Sequence, residues 1–237
     1  MEVIMRSFFN VIMFAVFAAS VFGINVSAQD KGKELRSAID RVDKASDVIK
    51  EVMKISERSI PRDLLSKAKA IVVFPGTLKV GFIVGGQGGS GVAIRRLDSG
   101  WSAPAFLNMA GGSIGPQVGG QKTDYVLLVM NENGLDKLLR DKFEIGGEGS
   151  VSAGPVGRTA SATTNARLDA EILSYSRSKG LFAGISLKGV VISQDEDMNQ
   201  AIYEKSARQL LVETPIGWAD APASLQKFPK TVATYTR

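Results

Sequence analysis

The chain contains neither histidine nor cysteine. The missing histidine removes the usual general base near neutral pH, and the missing cysteine removes the thiolate nucleophile. Both residues are also the commonest zinc ligands. These absences exclude most familiar hydrolase and transferase mechanisms. Catalysis would need a serine or threonine activated by a lysine, a pair of carboxylates, or a metal ion held by oxygen ligands.

Three short motifs resemble ligand-binding or catalytic signatures but lack the context that each requires. Gly86–Gly91 spells GxGxxG, yet the residues that follow favour a strand and not the helix that would bind a phosphate. Ser176–Lys179 spells SxxK, but a glycine follows at once and no SDN or KTG motif accompanies it. Asp195–Asn199 begins like a calcium loop, but Gln200 stands where glycine is needed, which favours a helix cap. We therefore predict a protein that is not an enzyme and that uses no cofactor or metal.

The first 28 residues have the pattern of a secretory signal peptide. Arg6 precedes an apolar run from Phe8 to Ile24, and Val26-Ser27-Ala28 is a small-residue cleavage site. An uncleaved anchor is the alternative, because the run lies at the short edge of what spans a bilayer at about 1.5 Å per residue. We predict cleavage before Gln29 and an exported protein, periplasmic or secreted and peripheral to the membrane. With no cysteine after the run, a lipid-anchored lipoprotein and a disulfide-held fold are excluded.

The charge that remains after residue 28 is mildly positive. It is +5, from 28 basic and 23 acidic side chains, and the two signs are interspersed. Such an excess favours contact with anionic lipid or other polyanions, but no basic run resembles a nucleic-acid-binding arm. We predict no nucleic-acid partner. The 209 residues are long enough for one well-buried core.

Glycine is concentrated in one stretch, since 13 of the 25 glycines lie between Gly76 and Gly120. Between them stand strand-forming and aromatic residues such as Val80, Ile94 and Trp101. Glycines in such surroundings are typical of bulges, tight turns and close backbone approaches within a sheet. The pattern indicates a function that depends on a surface and not on reactive side chains.

Apolar periodicity predicts an amphipathic helix from Lys33 to about Ser59. We expect its apolar stripe to pack on the domain, and the alternative is that the helix lies on a membrane. A second helix is predicted over Arg62–Ala68, followed by a buried strand over Ala70–Phe74 that Pro75-Gly76 ends.

The rest of the chain is predicted as a strand meander followed by a helix. Further strands are expected near 79–85, 90–96, 101–109, 125–130, 149–157, 160–168, 170–176 and 181–192. A short helix ends near Arg140, a longer one covers Glu196–Val212 behind an Asp195 cap, and the tail after Trp218 is predicted to be a loosely packed surface segment. The predicted fold is a single α+β domain over residues 33–215, with a tail over 216–237. It has a twisted, mainly antiparallel sheet, curled toward a barrel, with N- and C-terminal helices packed on it.

Several segments together carry a resemblance to a known family. They are Ile60-Pro61, Ala68–Pro75, Gly85–Val92, Gly100–Pro104, Ala153–Arg158, Tyr175–Gly184 and Asn199–Tyr203. Over roughly residues 35–212 the chain resembles the SYLF domain, a lipid-binding family. The resemblance implies a non-catalytic, membrane-associated binding domain. Members in fungi and animals bind phosphoinositide membranes, some fungal members bind and bundle actin, and bacterial members are commonly exported. The actin role is not expected of an exported protein, because actin is absent from that compartment.

The resemblance also points to candidate lipid-binding residues. In animal members lipid contact is attributed to a basic N-terminal segment, which corresponds here to the helix beginning near Lys33. Acidic residues are mixed into this segment, so we expect affinity for anionic lipid in general and not phosphoinositide selectivity. The candidates are Lys33, Arg36, Arg41 and Lys44 on that helix, and Arg158, Arg177 and Lys179 in two family motifs. The alternative for the second set is structural: Arg158 fixes a turn, and Ser178-Lys179-Gly180 is a solvated hairpin.

Three functions follow as hypotheses. The first is an exported lipid- or membrane-binding module of the cell envelope that prefers anionic phospholipid. The second is a structural or assembly protein that binds another protein, such as an envelope protein, through an exposed β-surface. The third is an enzyme that uses serine, lysine or carboxylates. A basic or apolar patch on the first helix would favour lipid binding, an open edge strand would favour assembly, and a deep pocket with a buried lysine or glutamate would favour catalysis.

Overall fold

The computed structural model describes residues 31–54, 59–81, 84–114, 119–146, 151–157, 170–185 and 187–236. Its α-helices are α1 (31–54), α2 (Arg62–Lys67), α3 (Glu132–Leu138), α4 (Glu196–Tyr203) and α5 (Lys227–Ala233). Its strands are β1 (Ala70–Gly81), β2 (Val84–Leu97), β3 (Gly100–Trp101), β4 (Ala105–Ile114), β5 (Gly119–Val129), β6 (Phe143–Ile145), β7 (Val151–Ala153), β8 (Ile172–Ser178), β9 (Leu181–Gly184) and β10 (Val190–Gln194). A π-helical turn covers Gln209–Glu213, and 3₁₀ turns cover Trp218–Asp220 and Ala223–Leu225.

These strands form one sheet in the order β6-β10-β4-β2-β1-β5-β8-β7, with β3 paired to β2 and β9 paired to β8. Every pair is antiparallel except β7 with β8. The sheet curls nearly into a barrel, with helices from both ends of the described chain packed on it. The predicted α+β class and the mainly antiparallel sheet are confirmed.

The sheet is buried on both faces near the start of β1. Ile71 and Val73 pack into one core cluster with α1, α2 and α5, while Val72 and Phe74 pack into a second cluster with α3. Strands buried on both faces read as continuous apolar runs, which explains the sequence of this part of β1.

The amphipathic helix α1 packs its apolar stripe against the sheet. Ala38, Val42, Ala45, Ile49 and Val52 are fully buried. The expectation that this stripe packs on the domain is confirmed, and the alternative, an α1 lying with this stripe in a membrane, is wrong for the folded domain. Residues 55–58, the predicted end of the helix, lie outside the described residues.

The strand β1 does not end at Pro75-Gly76, so that prediction is wrong. The pairing register shifts between Phe74 and Thr77 and then resumes, which marks a β-bulge. Gly76 has φ +60° there, a backbone conformation that favours glycine, and its N–H donates to Asp124 Oδ1 at 2.7 Å. The bulge absorbs the extra residues, and the strand continues as far as Gly81.

Beyond this bulge four strands extend together as a layer that we call the arm. It consists of residues 77–81 of β1, 85–90 of β2, 108–112 of β4 and 120–123 of β5. Val80 pairs with Gly86 on one side and Gly120 on the other, and Gly86 pairs with Gly112. Most of the concentrated glycines therefore lie in a sheet, as predicted.

The C-terminal region departs from two predictions. Asp195 caps α4 as expected, accepting from the Met198 N–H at 3.3 Å, but the helix stops at Glu204, whose φ is +56°. The expected single helix over Glu196–Val212 is thus divided into α4 and the π-helical turn. The tail is not loosely packed, since Leu225, Phe228 and Val232 are fully buried in the core cluster beneath α1. The strand predicted at 160–168 lies outside the described residues.

Candidate functional site

An open cleft of about 310 Å³ lies between α1 and the base of the arm. We call it the α1 cleft. It is lined by Lys44, Asp47, Val48 and Glu51 of α1, Pro75 and Gly76 of the bulge, Lys122 and Asp124 of β5, and Arg177 of β8. The fold therefore brings together two predicted lipid-binding residues, Lys44 and Arg177, that are distant in sequence.

Arg177 connects three elements at the floor of this cleft. Its Nε and Nη2 atoms donate to Asp124 Oδ2 at 2.9 and 2.8 Å, and its Nη1 atom pairs with Glu51 of α1. Burial lowers the pKa of the Arg177 guanidinium. Burial also raises the pKa of the Asp124 carboxyl, while the N–H of Gly76 acts in the opposite direction. Because two carboxylates already neutralise Arg177, its main role in this geometry is to hold α1 against the sheet.

The lysines at the mouth of the cleft are accessible. Lys44 donates to Asp40 Oδ2 at 2.6 Å, but both side chains are more than half exposed, and such surface pairs contribute little. Lys122 on β5 is exposed. Lys179 does not line the cleft: it is exposed in the β8–β9 turn, with φ +50° followed by Gly180 at +77°. Sequence reasoning missed Lys122, because only the pairing of β5 beside β1 and β8 places it here.

The other candidates on α1 do not line the α1 cleft. Lys33 and Arg36 are exposed near the start of α1. Lys33 lies roughly 27 Å from Glu51 along the axis, at about 1.5 Å per residue. Arg41 is not displayed to solvent: its Nη1 atom donates to Asp195 Oδ2 at 2.6 Å, with the two side chains 17% and 13% exposed. Arg158 lies outside the described residues.

Replacing Arg41 with methionine should lower stability without weakening lipid binding. The substitution leaves Asp195 of the α4 cap without its partner, so we expect a loss of about 1–3 kcal/mol in the free energy of unfolding. Urea unfolding followed by circular dichroism measures this loss. Lys33→Met is the control, because Lys33 is exposed and should change stability by less than about 0.5 kcal/mol. An Arg41→Met protein as stable as the parent would contradict a stabilising role of the Arg41–Asp195 ion pair.

The rejected motifs have structural roles where they are described. The GxGxxG segment lies within β2, so no helix begins at its end.

Among the described residues no group of three or more acidic side chains is placed to hold a metal ion. Within the same residues, no helix has the length and apolar character needed to cross a membrane. Beside the segment, Tyr125 donates to Gln87 Oε1 at 2.9 Å, and burial raises the pKa of Tyr125 to about 12.

Comparisons with known proteins place the chain in a family. The family model described as Ysc84, Las17-binding protein actin regulator, matches residues 110–235, more than half of the chain. LAS seventeen-binding protein 3 of Saccharomyces cerevisiae is 39% identical over 152 residues, which cover 62% of this chain and 33% of that protein. Protein YSC84 of the same yeast is 36% identical over 177 residues, 71% of this chain and 38% of that protein.

A mammalian relative gives the same picture. SH3 domain-containing YSC84-like protein 1 of Homo sapiens is 31% identical over 172 residues, which cover 70% of this chain and 50% of that protein. The chain thus spans between a third and a half of the length of these relatives. The matched region includes the end of β4 from residue 110, all of β5, β8 with Arg177, and the C-terminal helices. The chain therefore belongs to the Ysc84 family, the family of SYLF-domain proteins that its motifs resemble.

Proposed function

We propose that this protein is an exported, non-catalytic binding module of the cell envelope that associates with anionic phospholipid surfaces. Its family is described by binding and regulation and not by a reaction. The described residues that line the α1 cleft include no serine, threonine or tyrosine that could act as a nucleophile. The signal peptide predicted for residues 1–28 supports an envelope location.

One observation carries the lipid proposal. The sequence holds no acidic residue between Asp63 and Asp98, and none between Asp98 and Asp124. The whole arm falls in these two intervals, and exposed Lys122 stands at its base beside Lys44 of α1. Each lysine near an anionic surface contributes on the order of 1 kcal/mol. The acidic side chains of the cleft, Asp47, Glu51 and Asp124, subtract from this, so the charge that favours anionic lipid is that of the arm itself.

The test is flotation of residues 29–237 with vesicles, comparing anionic with zwitterionic lipid at low and high salt. We expect binding that requires anionic lipid and weakens with salt, because exposed charges are screened. The double variant Lys44→Glu, Lys122→Glu should lower the partition coefficient at least about tenfold.

The matched control is the double variant Arg62→Glu, Lys67→Glu. It makes the same change in net charge at two exposed positions of α2, which precedes the opposite end of β1. Ala70, where β1 begins after α2, is about 26 Å from Leu78, the strand partner of Lys122, at about 3.3 Å per residue along β1. This control should keep most of the binding. An equal loss in both doubles would show an effect of net charge alone, and no binding of the parent protein to either vesicle would refute the lipid proposal.

The second candidate is a structural or assembly protein that binds an envelope protein. It is favoured by the exposed β-surface of the arm, and a yeast relative is named for binding LAS seventeen. The terminal strands of the described sheet, β6 and β7, have only three residues each, which disfavours strand addition at those edges. A partner would have to contact a face of the sheet. Absence of vesicle binding would favour this candidate.

A further inference from the structure

One face of the arm exposes apolar side chains that the core does not use. Leu78 and Val80 are 47% and 48% exposed. Leu78 pairs with Lys122, a residue that lines the α1 cleft, so these side chains lie on the face that α1 covers nearer the bulge. The helix α1 does not cover this face of the arm, and Leu78 and Val80 are accessible to solvent there.

The surface around these two side chains is flat. A Cβ built on Gly86 or Gly112 would meet no atom within 4 Å, and one on Gly120 would meet only Leu78 Cδ1 at 3.7 Å. Gly88 and Ala110 on the same face are exposed as well. Apart from Lys122, the described strand neighbours of Leu78 and Val80 on this face are glycine and alanine, so the two apolar side chains project from the surface.

The charges beside this face select the kind of partner. The arm contains no acidic residue, and its lysines are Lys79 and Lys122. Lys122 lies next to Leu78 across the strand pair, and Lys44 faces the same cleft. Two copies of the arm placed face to face would bring Lys122 against Lys122, and the arm itself holds no carboxylate to compensate, which is unfavourable. An anionic bilayer has the complementary arrangement, with negative headgroups above an apolar layer.

We propose that the arm is a membrane-insertion element: Leu78 and Val80 enter the boundary between headgroups and acyl chains of an anionic bilayer, while Lys122 and Lys44 stay among the headgroups. This inference rests on the lipid function proposed above and identifies the part of the protein that enters the membrane. It replaces α1 as the apolar contact, because the stripe of α1 is buried. The apolar contacts of Leu78 and Val80 add a contribution to the free energy of membrane binding that salt does not screen.

The absence of cysteine allows a direct measurement, because a single introduced cysteine carries the only label. Leu78→Cys, labelled with the environment-sensitive fluorophore NBD, should shift its emission to shorter wavelength on addition of vesicles containing phosphatidylglycerol. The control is Ser99→Cys with the same label. Ser99 is exposed in the turn at the other end of β2, remote from the arm, and its emission should stay unchanged.

A second measurement tests the energetics. The double variant Leu78→Ser, Val80→Ser should weaken partition onto these vesicles at high salt about tenfold or more, since it removes the apolar contribution. Both positions are half exposed, so its unfolding transition should stay close to that of the parent protein, which circular dichroism checks. Leu35→Ser is the matched control, because it replaces an exposed leucine of α1 and should leave partition unchanged.

The possible outcomes separate the two proposals. If the protein floats with anionic vesicles while the label at Leu78 does not shift and the double serine variant binds normally, insertion is refuted and lipid binding stands. If no variant and no parent protein floats, both proposals fail. A shift of the label without vesicles that grows with protein concentration would show the face covered by a second copy, which overturns insertion into a bilayer.

Discussion

Gly184→Ala should destabilise the domain by about 3 kcal/mol or more, since overpacking against fixed backbone is among the most damaging core changes. An alanine Cβ at this position would lie 1.8 Å from the carbonyl oxygen of Gly154. Gly154 cannot retreat, because its own Cα faces the ring of Tyr175, and a Cβ there would lie 2.0 Å from Tyr175 Cζ. That ring is fully buried and stacks on Phe182 with centroids 5.5 Å apart. Urea unfolding followed by circular dichroism measures the loss.

The matched control is Gly86→Ala, another glycine of the same sheet. An added Cβ at Gly86 would meet nothing within 4 Å, so we expect a change within about 0.5 kcal/mol. A Gly184→Ala protein that unfolds like the parent would show that β9 can move away from Gly154. Equal losses in the two variants would attribute the effect to a general change in strand geometry and not to the contact of Gly184 with Gly154.

Asn199→Ala should also lower the free energy of unfolding substantially, by about 2–4 kcal/mol. Asn199 is fully buried, and its side chain forms two hydrogen bonds to the backbone of Phe106, 93 residues away. The Phe106 N–H donates to Asn199 Oδ1, and Asn199 Nδ2 donates to the Phe106 carbonyl, both at 2.9 Å. Alanine leaves the Phe106 N–H without this acceptor inside the core. Thermal and urea unfolding measure the loss, with Asn133→Ala at an exposed position as the control.

An aspartate at the same position gives a sharper test. Asn199→Asp keeps an acceptor for the Phe106 N–H but directs a second oxygen at the Phe106 carbonyl. Only the protonated acid can donate there, so folding of the variant takes up a proton and its stability falls as pH rises. We expect the deficit relative to the parent protein to be smaller at about pH 4 than at pH 7. A deficit that does not depend on pH would contradict the paired hydrogen bonds.

The sequence predicts those elements of the fold in which the pattern of apolar residues is uninterrupted. The apolar stripe of α1 and the runs Ala70–Phe74 and Tyr125–Val129 appear as helix and strands where expected. The continuation of β1 past Pro75-Gly76 was not predictable, because the bulge depends on a bond from Gly76 to Asp124, 48 residues away.

The C-terminal helix α5 was missed for a related reason. Its segment has few apolar residues, yet Phe228 and Val232 fill a space under α1 that exists only in the folded domain. Such burial leaves no periodic pattern in a helix of seven residues.

The candidate site was predicted only in part. The sequence identified Lys44 and Arg177 by family motif and charge, but it did not show that Glu51 and Asp124 neutralise Arg177. It also gave no reason to expect Leu78 and Val80 on the surface, because alternating apolar residues in a strand normally indicate a buried face. The signal that was available is the absence of acidic residues from Leu64 to Leu97 and from Ser99 to Thr123.

Two ion pairs of α1 cannot form until the C-terminal part of the chain has been synthesised. Arg41 pairs with Asp195, 154 residues later, and Asp43 pairs with Lys227 at 2.8 Å. The ribosome makes α1 early and these two ion-pair partners late, so part of the surface on which the apolar stripe packs, including Phe228 and Val232, is missing until the chain is nearly complete. Uncovered apolar surface of this kind recruits chaperones and promotes aggregation. The helix whose apolar stripe is buried in the complete domain therefore exposes part of that stripe until the C-terminal helix α5 has been made.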